Sequence, residues 1–183
     1  MLNPDLNPKT YPSIQRVQKT ILNPRPTVLR KGERIARFGA TKRNPRYDAW
    51  TQWAGSEWWV RWTELLRIWN AYVAFFPSLT SELRPISWVA GQLLQIPKSS
   101  NNDAEVIVEA TIREDIMVFF GVGVLEGVPA PSELRSRNKS VPLGRPVEQL
   151  YIPEIVDSSF RLSEIGRKAF RNVGFRFLST GPI

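Results

Sequence analysis

The sequence predicts an α+β fold: a small antiparallel sheet packed with two or three helices, preceded by an extended, proline-rich, basic N-terminal arm. Three observations predict it. The signals run in the order arm, helices, strands, helix, strand, which is the α+β arrangement rather than an alternating one. Prolines 4, 8, 12, 24 and 26 break up the opening residues. Hydrophobic residues make up 42% and charged residues 23% of 183, enough for one buried core. One α+β domain over residues 27–183, following an arm over residues 1–26, is therefore expected.

The arm carries the tripeptide Leu-Asn-Pro three times, at Leu2-Asn3-Pro4, Leu6-Asn7-Pro8 and Leu22-Asn23-Pro24. Asn-Pro starts turns, and a residue before proline is pushed toward extended geometry. Fully extended, 26 residues reach roughly 80 Å at about 3.1 Å each. Leu2, Leu6, Ile14, Val17, Ile21 and Leu22 are apolar pegs that such a strip cannot bury against itself, so its order is expected to come from other molecules.

Charge is distributed unevenly. Residues 1–46 hold eleven of the 25 Lys and Arg and only two of the 17 Asp and Glu, so this stretch carries +9 and the remainder −1. Such asymmetry points to an acidic or polyanionic partner: nucleic acid, an anionic membrane face contacted peripherally, or other protein subunits. Arg16, Lys19, Arg25, Arg30 and Lys31, with the apolar pegs Leu2 and Leu6, are the expected partner-binding residues. No secretory signal and no transmembrane run of eighteen apolar residues is legible. With no cysteine, the chain is expected in an intracellular, organellar or virion assembly.

Along the body, Arg34 to Phe38 alternates polar and apolar and predicts a short strand. Ser56 to Phe76 predicts a Trp-rich helix: Ser56 caps it, Pro77 ends it, and Trp58, Trp62, Leu65, Trp69, Tyr72 and Phe76 recur at helical spacing. Glu57 with Arg61 and Arg61 with Glu64 are then i,i+4 and i,i+3 pairs. Six of the seven tryptophans fall in residues 50–69. Those on the stripe are core; Trp50, Trp53 and Trp59 lie off it and are expected in a protein contact, where tryptophan is enriched. A second helix is predicted over 85–95, then strands over 105–112 and 116–125, antiparallel across Arg113-Glu114-Asp115. A Pro/Gly/Arg loop over 126–146, a strand over 147–152, a helix over 163–172 and an edge strand at 175–178 complete the chain.

Chemistry is restricted by two zeros. Without Cys or His there is no disulfide, no thiol nucleophile, no Cys/His zinc site and no His-based triad. Gly121-Val122-Gly123 with Gly127 has the wrong spacing for a nucleotide loop and reads as a glycine-kinked core strand. Glu109, Glu114 and Asp115 read as a solvated edge rather than an oxygen-ligand metal site. Composition thus favours a non-enzymatic architectural subunit of a large assembly, such as a virion, ribosome or organellar complex, with no cofactor or metal. The arm would thread over neighbouring subunits or nucleic acid.

One enzyme class operates without His or Cys, namely transfer from NAD. Arg37-Phe38-Gly39 and Glu148-Gln149-Leu150-Tyr151-Ile152-Pro153 resemble the two ends of the ADP-ribosyltransferase family pattern. In that family an arginine near the first strand and an acid or amide on a late strand frame the NAD pocket. The resemblance covers those two stretches alone, and the family's middle Ser-Thr-Ser-type strand has no recognisable counterpart. It implies that Arg37 clamps phosphate, that Glu148 or Gln149 holds the ribose, and that a tryptophan stacks on nicotinamide. The chain would then be an NAD-consuming enzyme or toxin.

Overall fold

The computed structural model describes residues 1–39, 56–75, 86–94, 104–124, 134–135, 142–144, 146–157 and 162–177. In chain order they form α1 (Ile14–Gln18), β1 (Ile21–Leu29), β2 (Arg34–Gly39), β3 (Trp58–Arg61), α2 (Trp62–Phe75), α3 (Ile86–Leu93), β4 (Val106–Ile112), β5 (Ile116–Gly123), β6 (Leu134–Arg135), β7 (Pro142–Gly144), β8 (Glu148–Tyr151), α4 (Glu164–Ala169) and β9 (Phe170–Phe177). The α+β class stands, with four helices among the described residues. Seven strands make one antiparallel sheet in the order β1-β5-β8-β3-β2-β4-β9, and β6 pairs with β7 within the predicted Pro/Gly/Arg loop.

β3 joins two halves of the sheet. Trp58 and Trp59 pair with Tyr151 and Leu150 of β8, whereas Val60 and Arg61 pair with Ala36 and Ile35 of β2. On one face a single core cluster draws from both halves: Leu29, Ile116, Val118 and Leu150 from one, Ile35, Val108, Ala110 and Ile112 from the other. The sheet therefore folds over this inner face. The outer face is covered twice. α2 and α3 pack Leu65, Ile68, Ile86, Val89 and Leu93 against Ala36, Phe38, Val60 and Ile107. Val17 and Ile21, flanked by Leu6, Tyr11 and Ile14, cover Phe119 and Tyr151.

Four expectations change. The helix over 56–76 begins only at Trp62, and residues 58–61 are a strand. Aromatic and β-branched residues favour a pleated ladder wherever two partner strands are at hand, and here they are β8 and β2. The ion pairs drawn on a continuous helix change accordingly: Glu57 binds Arg16 at 2.8 Å, Arg61 binds Glu33 at 2.9 Å, and Glu64 binds Arg67 at 3.3 Å. Phe76 and Pro77 lie outside the described residues.

The strands flanking Arg113-Glu114-Asp115 do not pair with one another. β4 lies between β2 and β9, and β5 between β1 and β8. The link 113–115 turns a corner between the halves, and the link 30–33 turns another beside it. Gly32 N–H donates to Ile112 O at 2.8 Å, and Ile112 N–H donates to Glu33 O at 2.8 Å. Gly32 has φ +92°, a backbone that favours glycine. Asp115 clamps the pair, accepting from Lys31 N–H at 2.7 Å and from the Arg30 guanidinium at 2.8 Å. These contacts, the Lys31 N–H foremost, hold its carboxyl below the ordinary value of 3.8. A depressed carboxylate stabilises the fold above its ordinary pKa, and that contribution is lost as pH falls through the folded pKa. Asp115→Asn is therefore expected to lower the urea midpoint at neutral pH, with wild type and variant converging as pH falls through the folded pKa.

The N-terminal residues do not stand off as an arm. Leu2 forms a parallel bridge with Ile116: its N–H donates to Asp115 O at 2.8 Å, and its carbonyl accepts from Met117 N–H at 3.0 Å. Tyr11 packs edge-on to Phe119 with ring centroids 5.3 Å apart. β1 crosses the expected boundary at 26/27. Its prolines fit because it is an edge strand, where a missing ladder donor is tolerated. An irregularity between Leu22 and Arg25 takes up Asn23 and Pro24. Asn3 and Asn23 have φ of 52° and 47°, left-handed rather than extended, a region that asparagine enters more readily than most residues. Leu6, Ile14, Val17 and Ile21 find their burial on the outer face of the chain's own sheet, Leu2 packs against the inner cluster, and Leu22 stays exposed.

The last helix is shorter than predicted and its strand longer, since β9 starts at Phe170 to pair with β4. Gly121 serves as a close-approach glycine: a Cβ there would stand 2.7 Å from the Leu22 carbonyl oxygen and 2.6 Å from Ile21 Cγ2. Gly121→Ala is expected to push β1 off β5 and cost about 1–3 kcal/mol, read from the urea midpoint. Among the described residues no helix is long and apolar enough to cross a membrane.

Candidate functional site

Side chains alternate across a strand, so pairing and register decide which residues share a face. On β2, Ile35 belongs to the inner cluster, and Arg37 is two residues on. On β3 the inner residue is Trp59; on β8 it is Leu150, with Glu148 two residues before it. β2 and β8 flank β3. Arg37 and Glu148, far apart in the chain, thus lie on one face with a single strand between them. The register sets Arg37 level with Trp59 and Leu150, so two strand spacings and a two-residue offset put the Arg37 and Glu148 backbones roughly 12 Å apart.

Burial on this face is graded. At the corner, Leu29, Ile35, Ile112 and Ile116 are fully buried. Away from it, Phe120, Val122, Glu148 and Arg37 are half-buried, while Val106 and Val108 of the neighbouring β4 remain fully buried. The Arg37 guanidinium lies 5.9 Å from the centroid of the Trp59 ring, and its Nε is buried. Loss of solvation pushes its pKa down to about 9, which leaves it cationic at neutral pH. A desolvated guanidinium binds an anion more strongly than one in water does. Among the described residues the Glu148 carboxylate has no hydrogen-bond or ion-pair partner. Its backbone N–H donates to Glu64 Oε2 of α2 at 3.0 Å. A half-buried carboxylate without a structural partner, close to an enclosed arginine, can take hydroxyl donors or stabilise a developing cation.

Gln149 is separated from this pair. It points to the outer face, is buried, and donates from Nε2 to Leu94 O at 2.5 Å. Of the two ribose-holding residues expected from sequence, only Glu148 shares a face with Arg37.

The expected partner contacts are largely spent within the chain. Leu2 and Leu6 pack on the sheet. Arg16 pairs with Glu57, Arg30 pairs with Asp115, and Arg25 stacks over Phe120 at 4.9 Å. Lys31 gives its N–H to Asp115, and Lys19 is exposed. Trp59 is not a surface contact: it is 1% exposed, donates from Nε1 to Ser56 O at 2.6 Å and packs on Phe170. Its register opposite Leu150 turns it inward, which no helical wheel could show. Trp50 and Trp53 lie outside the described residues. Trp58 stacks on Tyr151, Trp62 carries the Arg34 guanidinium at 3.6 Å and Trp69 packs on Tyr72, so these too are engaged within the chain.

Helical spacing also concealed a polar network on the outer face. Tyr151 donates to Glu57 Oε1 at 2.9 Å, Arg16 closes on the other oxygen, and the Tyr11 and Tyr151 hydroxyls lie 3.4 Å apart. Burial first, and the Glu57 carboxylate in addition, raises both phenols above their ordinary pKa. Every member has a partner, so the network reads as a latch for the N-terminal segment rather than as reactive chemistry. Glu109, Glu114 and Asp115 are occupied by Arg34, the N-terminal ammonium and Arg30 respectively. The described residues contain no metal-holding group of three or more His, Cys, Asp or Glu. No family model, curated protein or solved structure matches the chain.

Proposed function

We propose that this chain consumes NAD, breaking the bond between nicotinamide and ribose and passing ADP-ribose to water or to an acceptor nucleophile. The observation that carries it is the shared inner face of Arg37 and Glu148, two residues singled out from opposite ends of the sequence, on strands that flank β3. The chemistry suits what the chain has. The leaving group departs neutral: as the glycosidic C–N bond breaks, its electron pair cancels the charge on the pyridinium nitrogen. The demand falls on the oxocarbenium-like carbon left behind, and a nearby carboxylate meets it without His, Cys or metal. Arg37 neutralises the diphosphate, and Glu148 accepts from the ribose hydroxyls and faces the developing cation. Attack by water forms the new C–O bond and releases one proton, giving ADP-ribose and nicotinamide.

The test is purified full-length chain with NAD, alone and with added cell lysate, followed by nicotinamide release. Release in either arm is the expected result; none in both overturns the proposal.

A non-enzymatic assembly subunit is the second reading. Its support is the +9 charge of residues 1–46 and the exposed Lys9. Binding to RNA that weakens steeply with salt would favour it.

A further inference from the structure

Resting on that reading, we infer that Glu64 is the positioning residue of the reaction: its carboxylate stands in for a missing strand partner and holds the Glu148 backbone where the Glu148 side chain must work.

The β3–β8 ladder consists of Trp58 opposite Tyr151 and Trp59 opposite Leu150. Beyond it β3 turns away to pair with β2 and then becomes α2 at Trp62. On its other side β8 continues along β5, with Gln149 opposite Gly121 and Glu148 opposite Val122. Glu148 thus sits at the position where the ladder to β3 has ended. Its N–H is satisfied by a side chain, Glu64 Oε2 at 3.0 Å. Glu64 lies in the first turn of α2, where a carboxylate is favoured by the helix dipole. It is only 16% exposed, and Arg67 holds the same Oε2 at 3.3 Å. The bond is directional and comes from a helix-borne side chain, so it fixes the strand end more firmly than water would. Position matters because a displacement of about 1 Å at a reacting group can cost on the order of a hundredfold in rate. Glu64 acts through Glu148 and not on NAD.

The experiment compares Glu64→Ala, Glu64→Asp and Glu64→Gln in the full chain, each checked for native circular dichroism. Nicotinamide release should show kcat down by about tenfold or more in the Ala and Asp variants, with KM for NAD within about twofold, the signature of an interaction felt in the transition state. Gln keeps an acceptor at the same reach and should stay within about threefold of wild type. Equal losses in Gln and Ala would overturn the inference, as would a raised KM with unchanged kcat. Exchange of the Glu148 amide hydrogen, followed by NMR, needs no substrate. It should quicken by about tenfold in the Asp variant and not in the Gln variant. Wild type that leaves NAD untouched would sink the functional reading by itself. Unaltered amide exchange in the Asp variant would sink the positioning role by itself.

Discussion

Glu148→Ala is expected to reduce kcat for nicotinamide release by about a thousandfold while leaving NAD affinity within a few-fold, because one preorganised group facing transition-state charge contributes about 10²–10³. Arg37→Ala should divide the other way. An enclosed guanidinium on a diphosphate makes charge-assisted hydrogen bonds, and losing two of them at about 1.5–3 kcal/mol each weakens binding by at least a hundredfold. Calorimetric titration with NAD, beside single-turnover kinetics, separates the two effects. Arg37→Lys should recover little of the affinity, since a point charge on a flexible stem lacks the planar fork. Gln149→Ala is the contrasting case. Its amide ties β8 to the end of α3, so its loss should appear in stability more than in kcat. If the Glu148 variant turns over NAD as well as wild type, the assigned role of this carboxylate is lost.

Deleting residues 1–20 is expected to destabilise the body rather than free a tail. The segment covers Phe119 and Tyr151, fully buried residues on the outer face of β5 and β8. It also supplies Val17 to that cluster, Arg16 to Glu57, and the Leu2 hydrogen bonds beside Ile116, where β5 runs on past its pairing with β8. Returning two aromatic side chains to water costs about 1.5–3 kcal/mol each. A total on the order of 4 kcal/mol corresponds to a fall of roughly 8–16 °C in Tm for a domain of this size. Differential scanning calorimetry of the truncated chain measures it. An unchanged Tm would mean that the segment only rests on the sheet. A milder form of the same test is Tyr11→Phe, which keeps the ring on Phe119 but removes its hydroxyl from the latch.

Much of this was legible one residue at a time. The strands expected at 34–38, 105–112, 116–125 and 147–152 and the helix expected over 85–95 form within a few residues of those bounds, from local apolar pattern and proline punctuation. Exclusion of thiol and imidazole chemistry follows from two zeros in the composition. Arg37 and Glu148 stood out as residues of the right kind near the right elements. Where local pattern misled, the cause was a partner distant in the chain. Trp58 to Arg61 fit a helical stripe as well as a ladder, and only β8 and β2 on either side decide for the strand. Glu64 read as half of a pair with Arg61 because nothing nearby in sequence reveals that Glu148 N–H lies within its reach.

The amino-acid order alone determined the inventory: which segments form regular structure, which chemistries are closed to the chain, and which basic and acidic groups could act together. Tertiary structure alone decided the adjacency. A three-residue link such as 113–115 can close a hairpin or turn a corner at similar local cost. A segment studded with prolines can wander or lie on an edge strand. Burial settles such choices by joining surfaces far apart in the chain, and no window along the sequence contains both sides of those contacts.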